Sequence, residues 1–209
     1  MIPPELKLKL LLNILEEISE KYDEILKENK KLLEELHKQA TTDHLTGLLN
    51  RRALLQALRR EVERIKSNHH KNTLCICFMD LDNFKLINDT LGHEEGDRVL
   101  RNFASILKKI LKPYDIVGRW GGDEFVAGII NCEYFDKPEV CRSCPYYQKL
   151  SEEIKRLGKC YAIPLGVSCG VSKIPAETLD LEEALRVADR RLYIAKKTGR
   201  GKIVVDNNP

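Results

Sequence analysis

The chain has 209 residues, 43% hydrophobic and 32% charged, and its 35 Lys and Arg against 32 Asp and Glu leave a formal charge of only +3. That length suits one domain of ordinary size plus an extension, and so balanced a charge argues against nucleic acid as the partner. No apolar run is long enough to span a bilayer, and Met1 precedes a charged amphipathic segment rather than a signal peptide, so a cytoplasmic protein is expected.

Residues 8–39 carry a helical heptad pattern. Leu8, Leu15, Tyr22, Asn29 and Leu36 share one seam position, and Leu11, Ile18, Ile25, Leu32 and Gln39 share the other. This is the a/d pattern of a coiled coil, and Asn29 at an a position favours two strands in fixed register. The other reading is an amphipathic helix lying on the domain's own surface. Ala40-Thr41-Thr42-Asp43 breaks the heptads and divides a stalk, 1–40, from a domain, 41–209. A loop around Gly47 then leads to a helix over 52–66. The polar stretch 67–72 reads as a turn, in which His69 and His70 are neighbours whose side chains point apart rather than onto one metal.

Leu74 to Met79 is a continuous apolar run, the pattern of a strand buried on both faces, and it ends in Asp80-Leu81-Asp82. Two helices are expected over 83–91 and 94–111, separated by Gly92-His93. Asn88 and Asp97 suit a guanine edge, and both also suit helix capping. Apolar residues flank Arg119-Trp120-Gly121-Gly122-Asp123-Glu124-Phe125, so a hairpin turning at Gly121-Gly122 is expected with Asp123 and Glu124 at its tip. Alone, an acidic pair on a turn is ordinary solvated surface. Carboxylates at the end of a buried strand and at a nearby hairpin tip, however, can converge on hard cations. Mg²⁺ is held by one or two carboxylates plus substrate phosphates, and two such ions ~3.5–4 Å apart clamp the attacking and leaving oxygens of a phosphoryl-type displacement.

Cys132, Cys141, Cys144 and Cys160 fall within one segment, 131–160. Four thiolates for zinc or an iron–sulfur cluster are one reading; a reversible disulfide or four unlinked thiols are the others. A helix over 147–157, a strand over 165–172, an amphipathic helix over 181–196 and a short strand over 203–205 complete the chain. Cys75, Cys77 and Cys169 lie in apolar strands and are expected in the core. Strands alternating with helices around a hairpin predict a mixed α/β sheet with helices on both faces.

Five motifs in order carry a resemblance: Asp43 to Arg52, Asp80 to Asp89, Gly92 to Asp97, Gly121 to Phe125, and Ala195 to Arg200. The chain resembles the GGDEF domain, the catalytic domain of bacterial diguanylate cyclases, which condense two GTP into cyclic di-GMP and two pyrophosphates. The resemblance implies a five-stranded palm-like sheet, shared with adenylate cyclases, and a homodimer in which two GTP sites face each other. It implies Mg²⁺ ligands at Asp80, the Leu81 carbonyl and Asp123, with Asp123 also the proton acceptor and Glu124 beside it. Lys85 matches the position thought to stabilise the transition state, and Lys196 and Arg200 match those that grip the terminal phosphates. Asn83 and Phe84 line the phosphate loop, while Asn88, His93 and Asp97 correspond to substrate-binding positions. The family's inhibitory Arg-x-x-Asp site falls here on Lys112-Pro113-Tyr114-Asp115, with lysine in place of arginine. Two further readings share this fold: a non-catalytic GTP or cyclic-dinucleotide receptor, and a cyclase making cyclic GMP-AMP, which would carry serine at Asp97. A cysteine-cluster redox protein with inert cyclase residues is a fourth.

Overall fold

The computed structural model describes residues 3–68, 72–135, 141 and 144–206. His69, His70, Pro138, Arg142 and Ser143 lie outside the described residues, and with them the histidine-turn reading and the middle of the CxxC pair. The chain divides into two compact units, Met1–Ala40 and Thr41–Pro209. The first is a single helix, α1 (Pro4–Thr41). Its seam residues Leu15, Ile18, Tyr22, Ile25, Leu32 and Leu36 are all exposed. An apolar stripe of this length on one helix is the surface that a coiled-coil partner covers.

In the second unit the elements are α2 (Arg51–Ser67), β1 (Leu74–Asp82), α3 (Phe84–Leu91), α4 (His93–Ile110), β2 (Ile116–Gly121), β3 (Glu124–Ile130), α5 (Pro145–Cys160), β4 (Gly166–Ile174), α6 (Leu181–Lys197) and β5 (Ile203–Val204). The strands form one five-stranded sheet in the order β2-β3-β1-β4-β5. β1 is central and antiparallel to both β3 and β4, and β5 pairs parallel to β4. All nine residues of β1 are buried, as its unbroken apolar run requires.

Alternation along β1 splits the core in two. Cys75, Cys77, Met79 and Leu81 pack with Val99, Phe103 and Leu107 of α4 and Leu150 and Ile154 of α5. Leu74, Ile76 and Phe78 pack on the other face with Leu54, Leu58 and Ile65 of α2 and Ala188 and Leu192 of α6. Asp80 and Asp82 continue this second, even-numbered series, so both carboxylates emerge on the α6 side.

The sheet's outer edges are short or occupied. Along β2, Leu49 donates from its N–H to Val117 O at 3.3 Å and accepts from Arg119 N–H at 2.9 Å. β5 is two residues long. On the inner face, α6 lies so close to β4 that a Cβ at Gly170 would overlap the Ala188 carbonyl and the Leu192 amide. Backbone atoms cannot rotate aside as a side chain can. Gly170→Ala is therefore expected to destabilise the domain by about 2–3 kcal/mol, measured as a lower urea midpoint with an unchanged slope.

Candidate active site

The hairpin turns one residue later than its Gly-Gly pair suggests. Gly121 pairs with Glu124 and a register shift falls between Arg119 and Gly121, leaving Gly122 and Asp123 as the turn. Gly122 supplies the positive φ, +54°. Glu124 is thereby a strand residue directly opposite Asp80, with Ser168 on Asp80's other side. The Asp123 carbonyl accepts from Leu81 N–H at 3.4 Å and so ties the turn to the end of β1.

The two strand-end carboxylates have different surroundings. Asp82 accepts from Ser168 Oγ at 2.8 and 3.0 Å on its two oxygens and from Gly201 N–H at 2.9 Å, with Arg200 Nε 4.0 Å away. Gly199, Arg200 and Gly201 all have positive φ, and this left-handed run after α6 brings the Gly201 amide to the carboxylate. Asp80 pairs with Lys196, whose Nζ lies at 2.6 Å. Burial pushes the Asp80 carboxyl up, Lys196 pulls it down, and repulsion from Asp123 and Glu124 raises it again, leaving it at about 6. Glu124 is also raised, first by burial, with Lys196 opposing and Asp123 and Asp189 adding to the rise. The charges at this end of the sheet are under-compensated, which favours an added cation.

These groups line a cleft of about 670 Å³ together with Leu81, Asn83, Phe84, Lys85, Leu86, Asp89, Asp123 and Arg200. Nine of the expected site residues thus come together: Asp80, Leu81, Asn83, Phe84, Lys85, Asp123, Glu124, Lys196 and Arg200. Asn88, His93 and Asp97 do not line this cleft. His93 begins α4, Asp97 is exposed one turn on, and Asn88 packs so tightly against α4 that a Cβ at Gly96 would overlap its Oδ1. Asn83 is not helical: its φ is +65°, and its side-chain amide donates to Pro164 O at 2.7 Å. Its side chain fastens the loop, and the backbone around it forms the cleft wall.

Arg119, Ser168, Gly201 and Asp89 carry no local sequence signal for the places they take at the cleft. Arg119 links two motifs, since its Nε donates to Gly122 O at 2.9 Å and its Nη1 lies 3.3 Å from both oxygens of Asp43. Asp43 also accepts from Thr46 Oγ1 at 2.7 Å and Thr46 N–H at 2.9 Å. Trp120 packs edge-on to Phe78, with the Arg51 guanidinium 4.2 Å above its ring.

The Lys112 and Asp115 pair is also engaged. Asp115 accepts from Lys112 N–H at 2.9 Å and Ile130 N–H at 3.0 Å. The nearby Tyr114 and Tyr146 hydroxyls hold the Lys112 ammonium well above its ordinary range, and its Nζ lies 5.8 Å from the Tyr114 ring centre.

The four cysteines of 131–160 have separate local surroundings. Half-buried Cys132 packs against the α4/α5 core, Cys141 donates to Tyr134 O at 3.0 Å, Cys144 precedes α5, and exposed Cys160 donates to Arg156 O at 3.6 Å. Among the described residues no three His, Cys, Asp or Glu side chains are arranged to hold a metal. A structural zinc needs four such ligands, so the zinc or iron–sulfur expectation has no support. Mg²⁺ needs only one or two carboxylates, the rest coming from phosphate and water. Asp80 and Asp123, which both line the cleft, are carboxylates of that kind.

A family model described as the diguanylate cyclase GGDEF domain matches residues 40–202. The chain belongs to the GGDEF family. Over 162 residues it is 36% identical to diguanylate cyclase DgcP of Escherichia coli, a match covering 76% of this chain and 45% of that protein. The next two curated relatives are matched over 16% and 36% of their length, so this GGDEF chain spans less than half of each of the three. Among solved structures it is similar to the coiled coil and GGDEF domain of DgcB from Caulobacter crescentus in complex with c-di-GMP, with TM-score 0.75, 26% identity, and coverage of 92% of this chain and 99% of that one. Diguanylate cyclase SiaD of Pseudomonas aeruginosa, solved with its activator SiaC, matches with TM-score 0.70 at 30% identity, covering 96% of this chain and 75% of that one. No helix among the described residues of this GGDEF chain is long and apolar enough to cross a membrane.

Burial opposes ionisation of Asp43, but Thr46 and Arg119 outweigh it, and the carboxyl titrates below its ordinary range. A depressed carboxylate stabilises the fold fully above its unfolded pKa of about 4 and loses that contribution as pH falls through the folded value. Asp43→Asn is therefore expected to cost about 1–3 kcal/mol at neutral pH. In chemical denaturation, its deficit against the parent should shrink towards zero as pH falls below the ordinary aspartate range and through the depressed folded value.

Proposed function

We propose that this chain is a diguanylate cyclase that condenses two GTP into cyclic di-GMP and two pyrophosphates, each domain of a homodimer holding one GTP. The observation that carries this reading is the under-compensated set Asp80, Asp123 and Glu124, facing one cleft with Lys85, Lys196 and Arg200. A receptor that only bound nucleotide would have no need of three repelling carboxylates held there against their mutual charge. Asp97, with no serine in its place, favours guanine over adenine, because a carboxylate accepts from the ring and exocyclic N–H groups of guanine. Asn88 and His93 complete that recognition.

Asp80, the Leu81 carbonyl and Asp123 would hold Mg²⁺. Two such ions, when bound, supply charge neutralisation across the triphosphate and polarise the α-phosphorus. Lys196, which pairs with Asp80, and Arg200 grip the terminal phosphates. The Asn83-Phe84 backbone and Lys85 orient the phosphates and stabilise charge on the reacting phosphoryl group. Asp123 takes the proton of the 3′-hydroxyl, with Glu124 adjacent, as that oxygen attacks in line and pyrophosphate departs. Catalysis is thus positioning plus electrostatics. The exposed seam of α1 supports pairing of two chains, which turns a bimolecular meeting of half-sites into a tethered one.

The test is to incubate purified protein with Mg²⁺ and GTP and to identify the product by mass. Cyclic di-GMP is expected, and Asp80→Asn or Asp123→Asn should lower its formation by at least ~10²-fold with no loss of fold by circular dichroism. Turnover retained in both variants would defeat the assignment.

Feedback by product is expected to be weak. Lysine lacks the planar fork with which arginine grips a guanine or phosphate bidentately, and the Asp115 carboxylate is engaged by two backbone amides. Lys112→Arg should strengthen inhibition by cyclic di-GMP without altering the initial rate. Potent inhibition of the parent, abolished by Lys112→Ala, would show that lysine suffices.

A further inference from the structure

The two aspartates that end β1 differ in what holds them. Asp82 is 4% exposed, and Ser168 is completely buried. The β1–β4 ladder sets Asp82 opposite Gly166 and places Ser168 on the diagonal, on the same face of the sheet. Gly166 keeps that space open, because a Cβ in its place would lie only 3.0 Å from Asp82 Oδ2. The carboxylate thereby reaches two donors. Ser168 Oγ lies 2.8 and 3.0 Å from its two oxygens, and Gly201 N–H donates to Oδ2 at 2.9 Å. A buried carboxylate engaged on both oxygens has little left to offer a metal ion.

The second donor belongs to the loop between α6 and β5. There Gly199, Arg200 and Gly201 have φ of +118°, +59° and +58°. An arginine enters this left-handed region at a cost, since its Cβ crowds the following carbonyl, and its surroundings must hold it there. Three hydrogen bonds tie the loop down. Arg200 N–H donates to Ala195 O at 2.9 Å, Cys169 N–H donates to Lys202 O at 2.9 Å, and Gly201 N–H donates to Asp82. Of these three, only the last depends on a side chain. The same side chain also faces the Arg200 guanidinium, whose Nε lies 4.0 Å from Oδ1 while most of the arginine stays exposed at the cleft. Asp82 therefore acts on Arg200 twice, through the backbone of the next residue and through charge.

We propose that Asp82, locked in place by Ser168, is a positioning residue that aims Arg200 at the terminal phosphates of a nucleoside triphosphate and is not itself a metal ligand. This rests on the reading of the cleft as a GTP site. Arginine's planar fork grips phosphate well only when it is aligned beforehand. The two aspartates divide the work: Asp80 faces the cleft's cations, and Asp82 faces inward and sets an arginine.

The test compares binding of GMP with binding of the α,β-methylene analogue of GTP to the full chain, both with Mg²⁺, by calorimetry. The parent is expected to prefer the triphosphate. Asp82→Asn keeps the side chain's shape but loses its charge and one acceptor oxygen. It should weaken the triphosphate analogue about ten-fold and leave GMP unchanged. Ser168→Ala, a smaller change, should act in the same direction. Adding Asp82→Asn to Arg200→Ala should bring no further loss, because the aspartate works through that arginine. Equal losses for GMP and the analogue would make Asp82 merely structural and overturn the proposal. So would an additive loss in the double variant, or an unchanged triphosphate affinity in both single variants. These measurements need no turnover, so a parent that makes no cyclic di-GMP would count against the cyclase reading alone.

Discussion

A carboxylate at the end of a strand buried on both faces must find compensation within the protein, and the cleft is arranged around that requirement. β1 delivers Asp80 and Asp82 to the same face, two residues apart. Asp82 is answered locally by Ser168, Gly201 and Arg200. Asp80 is answered only in part, by a lysine whose charge is opposed by two more carboxylates. Buried polar groups left without partners typically cost a few kcal/mol each. The fully satisfied aspartate fixes the loop after α6, and the partly satisfied one keeps an appetite for positive charge.

Close backbone approach determines how finely these groups can be placed. Gly170 lets α6 settle on β4, which brings Lys196 within reach of Asp80. Gly96 makes room for the Asn88 side chain against α4. Arg119 then joins the loop at Asp43 to the Gly122 carbonyl, so the turn carrying Asp123 is tied on one side to β1 and on the other to the segment before α2.

Much of this was legible in the residues because it rests on local pattern. The run from Leu74 to Met79 has no polar interruption, so its burial followed from composition alone, and the heptads of α1 state their own period. Site residues clustered in contiguous motifs, Asp80 to Lys85 and Gly121 to Phe125, were legible for the same reason. What escaped depends on distant register. Ser168 looks like any small residue in an apolar strand until pairing sets it diagonally from Asp82. Arg119 looks like a solvated hairpin charge until its partner, 76 residues away, is known. The hairpin turned one residue late because the irregularity between Arg119 and Gly121 takes up a residue that a regular ladder would have paired. The four late cysteines looked like a group only because they are close in sequence. One of them follows a strand, another precedes a helix and a third ends it, and among the described residues no three of them are arranged to hold a metal.

The treatment of the sheet's margins bears on how the protein behaves when crowded. An open strand edge is a template on which a neighbouring chain can add a strand. Here Leu49 occupies part of one margin, and the other is only two residues wide. Molecules colliding in concentrated solution therefore find little ladder to extend. The protein can be made abundant without inviting the edge-to-edge growth that leads to fibrils.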